Sequence, residues 1–196
     1  MTEDEARAWL ATRYPADTVA TVSRFVDLVI AANAEQNLIS PASVDAIWTR
    51  HVVDSAQLLA FAPADAGTWI DIGTGGGFPG MIVAICRNRP VIMVEPRRRR
   101  AAFLQDAISL LGLEARASVR DTKIESVRDT ADVISARAVA SIEKLLQAAG
   151  RCATPRTRWI LPRGRSSEEQ DGDLFHVEQS ITDPASRIVL IDGTGR

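Results

Sequence analysis

The sequence predicts an α/β protein in which a Rossmann-like, mostly parallel sheet of seven strands follows a helical N-terminal extension. From residue 68 onward, short apolar segments alternate with helical stretches, which is typical of a parallel sheet covered by helices on both faces. A glycine-rich loop directly follows the first apolar segment, as it does in nucleotide-binding folds. We therefore expect residues 1–66 to form the extension, packed on the core, and residues 67–196 to form one Rossmann-like domain.

In the N-terminal region, apolar residues recur at the spacing of an amphipathic helix. Between residues 22 and 30, Val, Phe and Ile side chains lie three and four positions apart, so they share one helix face. Asp17 and Thr18 provide a plausible cap for this helix. The proline-containing segment at residues 37–41 predicts a break. A second helical pattern then covers residues 43–59.

The sheet domain begins after the turn-forming residues between positions 63 and 67. Each predicted strand is a short apolar run bounded by polar or turn-forming residues, as buried strands are. The predicted strands cover residues 69–72, 91–94, 115–119, 133–136, 159–162, 175–180 and 188–192. Helices are expected to fill most of the intervals, which gives the alternation of a parallel sheet.

Composition excludes several classes of protein. With 46% hydrophobic and 24% charged residues, the chain resembles a globular protein rather than a disordered or fibrous one. Its apolar runs are far shorter than the roughly 20 residues of a membrane helix, and its acidic start is unlike a signal peptide. Cys86 and Cys152, the two cysteines, are too few for a disulfide framework or a four-ligand zinc site. We expect a soluble, cytoplasmic protein that binds no metal and no membrane.

Charge is distributed unevenly along the chain. The formal net charge is -2, but residues 87–165 contain 17 Arg and Lys side chains against eight Asp and Glu side chains. The segments on either side are acidic. A basic segment of this kind is suited to contacts with phosphates. Charge alone is equally consistent with a solvated surface that binds no partner.

The glycine-rich loop indicates which cofactor the domain binds. Residues 71–80 are Asp-Ile-Gly-Thr-Gly-Gly-Gly-Phe-Pro-Gly. Asp71, followed by Gly73, Gly75 and Gly77, resembles the acidic-G-x-G-x-G loop of S-adenosylmethionine-dependent methyltransferases. A sulfonium cofactor carries an ammonium group and ribose hydroxyls. Acidic side chains at strand ends can accept hydrogen bonds from these groups. Glu95 closes the second predicted strand beside the loop and is expected to accept the ribose hydroxyls.

Two other functions are consistent with the same loop. Residues 75–80 also match the dinucleotide pattern G-x-G-x-x-G, which would indicate an NAD-dependent oxidoreductase. In dinucleotide folds, however, the first glycine of the pattern directly follows the strand, whereas Gly73 precedes this match. The second alternative is a nucleotide-sensing module that binds ribosomes without catalysing a reaction.

Several separated motifs resemble one family along most of the chain. The chain is similar to the RsmG/GidB family of bacterial 16S ribosomal RNA guanine-N7 methyltransferases from about residue 20 to the last predicted strand. The motifs that carry this resemblance are Asn-Leu-Ile-Ser at 37–40, Arg-His at 50–51 with Asp-Ser at 54–55, the glycine-rich loop at 71–80, Phe-Leu at 103–104, and Ser-Ala-Arg-Ala-Val-Ala-Ser at 135–141.

The resemblance implies a fold, a reaction and a set of cofactor contacts. The implied fold is that of a class I S-adenosylmethionine-dependent methyltransferase, and the implied reaction transfers a methyl group to N7 of a guanine in 16S rRNA of the small ribosomal subunit. Guanine N7 has a lone pair in the ring plane, so we expect catalysis by alignment, without a general base. The cofactor contacts that the resemblance implies are Gly73, Phe78, Ile124, Glu125 and Arg137.

For the RNA, we expect arginines around the site to contact phosphates while a guanine is turned out of its loop. The resemblance also singles out Arg50 and His51 as RNA or cofactor-domain contacts, and Arg50 is expected to form an i,i+4 ion pair with Asp54. The predicted RNA-binding set is Arg50, His51, Arg97, Arg98, Arg163 and Arg165. We expect the enzyme to act as a monomer.

Overall fold

A computed structural model describes residues 1–137, 141–164 and 176–194. In these ranges the strands are β1 (Trp69–Ile72), β2 (Val91–Val94), β3 (Ala117–Arg120), β4 (Ala131–Ala136), β5 (Ala153–Arg163), β6 (His176–Gln179) and β7 (Arg187–Asp192). The α-helices are α1 (Glu3–Ala11), α2 (Ala16–Gln36), α3 (Asp54–Ala56), α4 (Gly80–Cys86), α5 (Arg98–Leu111) and α6 (Ile142–Ala149).

The seven strands form one sheet in the order β3-β2-β1-β4-β5-β7-β6. Strands β1 to β5 run parallel to one another, and β7 is antiparallel to both β5 and β6. Ile72 at the end of β1 is level with Val94 of β2 and Ala136 of β4. The chain therefore leaves β1 at the point where the strand order reverses, which is where open α/β sheets bind their ligands.

The helical extension shares its core with the sheet domain. Phe25 and Val29 of α2 belong to the same buried cluster as Met81 of α4 and Leu104 of α5. The start of α2 differs from the prediction, because the N-cap residue is Pro15 and no side chain caps the helix. Asp17 lies in the first turn instead, where its negative charge interacts favourably with the positive end of the helix dipole.

The predicted helix over residues 43–59 is present as a helical segment whose pitch changes along its length, not as one regular α-helix. A 3₁₀ turn (Pro41–Ser43) is followed by a π-helical turn (Trp48–Val53), the short α3 and another 3₁₀ turn (Gln57–Phe61). The Glu3 carboxylate accepts hydrogen bonds from the backbone amides of Trp48 and Thr49. This contact from α1 supplies acceptors that a regular helix would take from its own preceding turn.

The strands confirm most of the predicted positions. β1 and β2 have the predicted bounds, β4 and β5 extend further towards the N-terminus, and β3 begins two residues later than predicted. Part of the predicted strand at 175–180 lies outside the described residues. Within the described ranges, no helix combines the length and apolar character needed to cross a membrane.

Candidate cofactor and substrate site

The glycine loop after β1 leaves open space at one glycine and is tightly packed at another. Gly73 has φ +67°, and a Cβ built there would meet no atom within 4 Å. Gly77 has φ +96°, and its Cβ would lie 2.6 Å from Phe25 Cζ. Gly77 thus lets the extension approach the loop closely, while Gly73 leaves room for a ligand beside the backbone.

Asp71 is buried beneath this loop and shapes it. Its Oδ2 accepts a hydrogen bond from the Gly80 amide at 2.9 Å, and its Oδ1 accepts one from the Ser135 hydroxyl at 2.7 Å. Ser135 in turn accepts a bond from Trp69 Nε1 at 2.8 Å. Burial raises the pKa of Asp71 to about 6. These contacts make Asp71 a fixed support of the loop, and its predicted contact with the cofactor stays a prediction.

Glu95 fastens the other side of the loop. Its Oε2 accepts a hydrogen bond from the Gly75 amide, and its Oε1 accepts one from the Arg97 amide, each at 2.9 Å. The side chain is buried at the end of β2. Ile124 and Glu125 lie in a 3₁₀ turn after β3, where Ile124 is buried and Glu125 is exposed. The predicted contacts of these three residues with the cofactor also stay predictions.

A cavity of about 580 Å³ opens above the carboxyl ends of the strands. One wall is the glycine loop with Phe78, a second is residues 38–51 of the extension, and the third comes from the end of β5 and the β6–β7 turn. The predicted site residues that line this cavity are Gly73, Gly75, Phe78, Arg137, Arg50, His51 and Arg163. The other described members of the predicted set do not line it: Asp71, Glu95, Ile124, Glu125, Arg97 and Arg98. Across the described ranges, no three His, Cys, Asp or Glu side chains are grouped as metal ligands would be.

Phe78 is the apolar centre of one wall of this cavity. Its ring packs against Phe25 of α2, with 5.3 Å between centroids, and against His51, with 5.0 Å between centroids. The guanidinium carbon of Arg137 lies 5.8 Å from the Phe78 centroid, within the range of a cation–π contact. Residues from three separate parts of the sequence therefore meet around one ring.

Arg137 follows β4 and contacts the extension through two side chains. Its Nη1 lies 3.1 Å from His51 Nδ1 and 4.0 Å from Asp54 Oδ2. The predicted Arg50–Asp54 ion pair is wrong: Asp54 pairs with Arg137 instead, because the chain from residue 48 to 53 is π-helical rather than α-helical. Burial, followed by the charges of Arg137 and Arg50, lowers the pKa of His51 to about 3. The imidazole is therefore neutral at physiological pH.

Asp54, which the sequence singled out, has one partner close to it in the chain and others far along it, among them Arg137 and Thr182. Its Oδ1 accepts hydrogen bonds from Gln57 Nε2 at 2.9 Å and from the Thr182 hydroxyl at 3.0 Å. Burial raises the pKa of this carboxyl. Asp54 thus joins the extension to the β6–β7 turn. The Asp-Ser pair at 54–55 was the signal for this residue, whereas no sequence pattern indicated Thr182.

The predicted RNA-binding arginines fall into two groups. Arg50 is exposed and Arg163 is 8% exposed, and both line the 580 Å³ cavity. Arg97 precedes α5, and Arg98 begins that helix with its side chain 92% exposed and 3.8 Å from Asp121. Arg165 lies outside the described residues. The structure brings Arg50 and Arg163 to the cavity and leaves Arg98 on the surface of α5.

Comparison with known proteins identifies the family. A family model described as rRNA small subunit methyltransferase G matches residues 18–184. The protein called ribosomal RNA small subunit methyltransferase G in Sphingopyxis alaskensis is 43% identical over 205 residues, covering 99% of this chain and 87% of that protein. The protein of that name in Erythrobacter litoralis is 41% identical, covering 100% of this chain and 97% of its own length.

Solved structures support the fold at lower sequence identity. A variant of MtNAS in complex with S-adenosylmethionine aligns with a TM-score of 0.60 and 17% identity, covering 98% of this chain and 84% of that one. The Bacillus subtilis tRNA methyltransferase TrmK aligns with a TM-score of 0.56 and 16% identity, covering 71% of this chain and 65% of its own. The predicted fold class and family resemblance are confirmed: the chain belongs to the rRNA small subunit methyltransferase G family.

Proposed function

We propose that this chain transfers the methyl group of S-adenosylmethionine to N7 of a guanine in 16S rRNA of the small ribosomal subunit. The observation that carries the proposal is the 580 Å³ cavity, which has loop glycines Gly73 and Gly75 on one wall and Arg50 and Arg163 on others. A cavity of this kind can hold a nucleoside cofactor and a base of a phosphate-bearing substrate together. Membership of the family supports the class of reaction and the cofactor.

The residues of the loop fit S-adenosylmethionine. The open space beside Gly73 provides the close backbone approach that a nucleoside ligand needs. The residues that would contact the cofactor directly are Gly73, Gly75, Phe78 and Arg137. Glu95 would also contact the cofactor while it accepts the hydrogen bond from the Gly75 amide. S-adenosylmethionine, when bound, supplies a methyl group activated by its positively charged sulfur. Asp71 would act by fixing the loop, and Ile124 with Glu125 would contact the adenine.

The chemistry of the surrounding side chains suits a reaction without proton removal. Guanine N7 attacks with a lone pair, so the chain has to align the base with the methyl group rather than activate it. His51 Nδ1 is occupied by Arg137, which leaves no free ring acceptor for a proton. Burial raises the pKa of Cys86 to about 12 and also raises that of Cys152, so neither thiol is suited to nucleophilic catalysis.

Mapping of the modified nucleotide tests the reaction. We expect mass spectrometry of 16S rRNA from cells lacking this protein to lose one 7-methylguanosine, and purified protein to restore it on undermethylated subunits. If the purified protein restores the 7-methylguanosine with S-adenosylmethionine and without added NAD, the chain is a methyltransferase and not an NAD-dependent oxidoreductase. A modified base that persists in the deletion strain, or a protein that binds subunits without transferring label, would contradict the proposal and favour the sensing module.

Arg50 provides a test of RNA binding at the cavity. We expect Arg50→Ala to weaken binding of undermethylated subunit RNA by about three- to tenfold, because an exposed arginine at the cavity would contact a phosphate. The slope of log affinity against log salt should fall by about one. Affinity for S-adenosylmethionine, measured by calorimetry, should not change.

The matched control for Arg50 is Arg89→Ala. Arg89 is also exposed, but it precedes the amino end of β2 and does not line the cavity at the carboxyl ends of the strands. We expect this variant to retain RNA affinity and salt dependence. Equal losses for the two variants would indicate a general effect of net charge and would argue against an RNA contact at the cavity.

A further inference from the structure

We infer that His51 is a positioning residue for the reaction: its imidazole holds the Arg137 guanidinium over the Phe78 ring and thereby sets the affinity for the cofactor. The inference rests on the proposed function, in which Arg137 contacts S-adenosylmethionine. It assigns to the helical extension a direct part in building the cofactor site.

A chain of hydrogen bonds fixes the orientation of the imidazole. The Ser43 hydroxyl donates to the Ser40 carbonyl oxygen at 2.8 Å, so its own oxygen is available to accept from His51 Nε2 at 3.0 Å. Nε2 must then carry the proton, and Nδ1 is left as an acceptor. An arginine has only donors, so the 3.1 Å contact is a hydrogen bond from Arg137 Nη1 to His51 Nδ1.

The neutral ring is well suited to this task. Because the pKa of His51 is lowered to about 3, the acceptor at Nδ1 persists throughout the physiological range. A protonated imidazole would present a second donor to the guanidinium and repel it. The ring also packs on Phe78, so one side chain fixes both the arginine and the aromatic surface beneath it.

The acidic partner of Arg137 does not replace the histidine. Asp54 Oδ2 lies 4.0 Å from Arg137 Nη1, beyond hydrogen-bond distance. The other carboxylate oxygen of Asp54 accepts bonds from Gln57 and Thr182. Asp54 therefore supplies attraction over a longer distance, while His51 supplies the directional contact.

A double-mutant cycle on cofactor binding tests the inference. We expect His51→Leu to weaken S-adenosylmethionine binding about tenfold by calorimetry, because a hydrogen bond to a charged donor is lost. His51→Asn should stay within about threefold of the wild type, since an amide oxygen can occupy the place of Nδ1. Arg137→Ala should weaken binding at least as much as His51→Leu, and the double variant should bind no more weakly than Arg137→Ala alone.

The chain contains a matched control for the histidine change. His176 is exposed on β6 and contacts Glu178, so His176→Leu should leave cofactor affinity unchanged. Thermal unfolding of each variant establishes that the fold is intact. In His51→Leu, the KM for cofactor should rise more than kcat falls, whereas a loss of folded protein would lower the apparent kcat alone.

Two outcomes would overturn the inference, and both differ from failure of the proposed function. If the effects of His51→Leu and Arg137→Ala multiply in the double variant, the two residues act independently. If Arg137→Ala leaves cofactor affinity unchanged, His51 has no contact to position. Failure of the wild-type protein to methylate guanine N7 would instead reject the proposed substrate, while the predicted pattern of cofactor affinities would still support the role of His51.

Discussion

Gly73→Val is expected to lower the affinity for S-adenosylmethionine at least ~100-fold. The backbone at Gly73 has φ +67°, which a β-branched residue adopts only with strain. No atom lies within 4 Å of a Cβ at this position, and the residue lines the cavity, so the new methyl groups would extend into the space proposed for the cofactor. Calorimetric titration of the purified variant measures this loss.

Gly112→Val separates the loss of ligand space from the strain of the backbone. Gly112 ends α5 with the same φ of +67° and no atom within 4 Å of its Cβ position, but it does not line the cavity. We expect each variant to lose about 1–3 kcal/mol of unfolding free energy. Cofactor affinity should fall only in the Gly73 variant. Equal affinities in the two variants would reject the proposed position of the cofactor.

Asp71→Ala is expected to destabilise the fold by about 3 kcal/mol at pH 5, because it leaves two buried donors without an acceptor. These donors are the Gly80 amide, which begins α4, and the Ser135 hydroxyl, which also bonds to Trp69. Urea unfolding monitored by tryptophan fluorescence measures the change. Cofactor affinity should fall together with stability in Asp71→Ala. Substitution of a residue that only contacts the cofactor would lower cofactor affinity and leave the unfolding free energy unchanged.

The pH dependence of the same variant has a definite sign. The folded-state pKa of Asp71 is raised to about 6 from 3.8, so the folded state binds more protons than the unfolded chain between these values. Its contribution to stability is then greatest at low pH and is lost as pH rises through 6. The difference between wild type and Asp71→Ala should be narrower at pH 8 than at pH 5 by roughly 1 kcal/mol.

An exposed aspartate supplies the control for this experiment. Asp65 forms an ion pair with Arg156 on the surface, with its side chain 73% exposed. Asp65→Ala should cost less than about 1 kcal/mol, and the difference from wild type should change little between pH 5 and pH 8. A similar pH dependence for the two variants would show that burial at Asp71 is not its cause.

Local sequence pattern predicted the sheet and the loop well, for reasons visible in the structure. β1 and β2 are buried apolar runs bounded by turn residues, so their ends could be located to the residue. β3 begins late because residues after Gly112 form another turn, in which the amides of Arg116 and Ala117 both bond to the Leu113 carbonyl. Residues 113–117 contain no Gly, Pro, Asn, Asp or Ser, the residue types that mark turns in a sequence.

The sequence predicted which residues belong to the candidate site better than it predicted what each of them contacts. Sequence pattern located Asp71 and Glu95 at strand ends, but it could not show that both carboxylates accept hydrogen bonds from the loop itself. It likewise could not pair His51 with Arg137, 86 residues apart. The π-helical part of the segment of changing pitch begins at Trp48 and Thr49, whose amides bond to Glu3 of a different helix, and such tertiary contacts override local helix propensity.

The position of the N-terminal helices has a consequence for shortened forms of this enzyme. Since Phe25 and His51 pack against Phe78, a truncated sheet domain that starts at residue 67 would keep every loop glycine and yet bare this aromatic ring to water. Such a fragment would have the recognisable nucleotide-binding signature without a working pocket. Engineering of smaller catalysts from this scaffold must therefore retain the helical extension, which contributes Phe25 and His51.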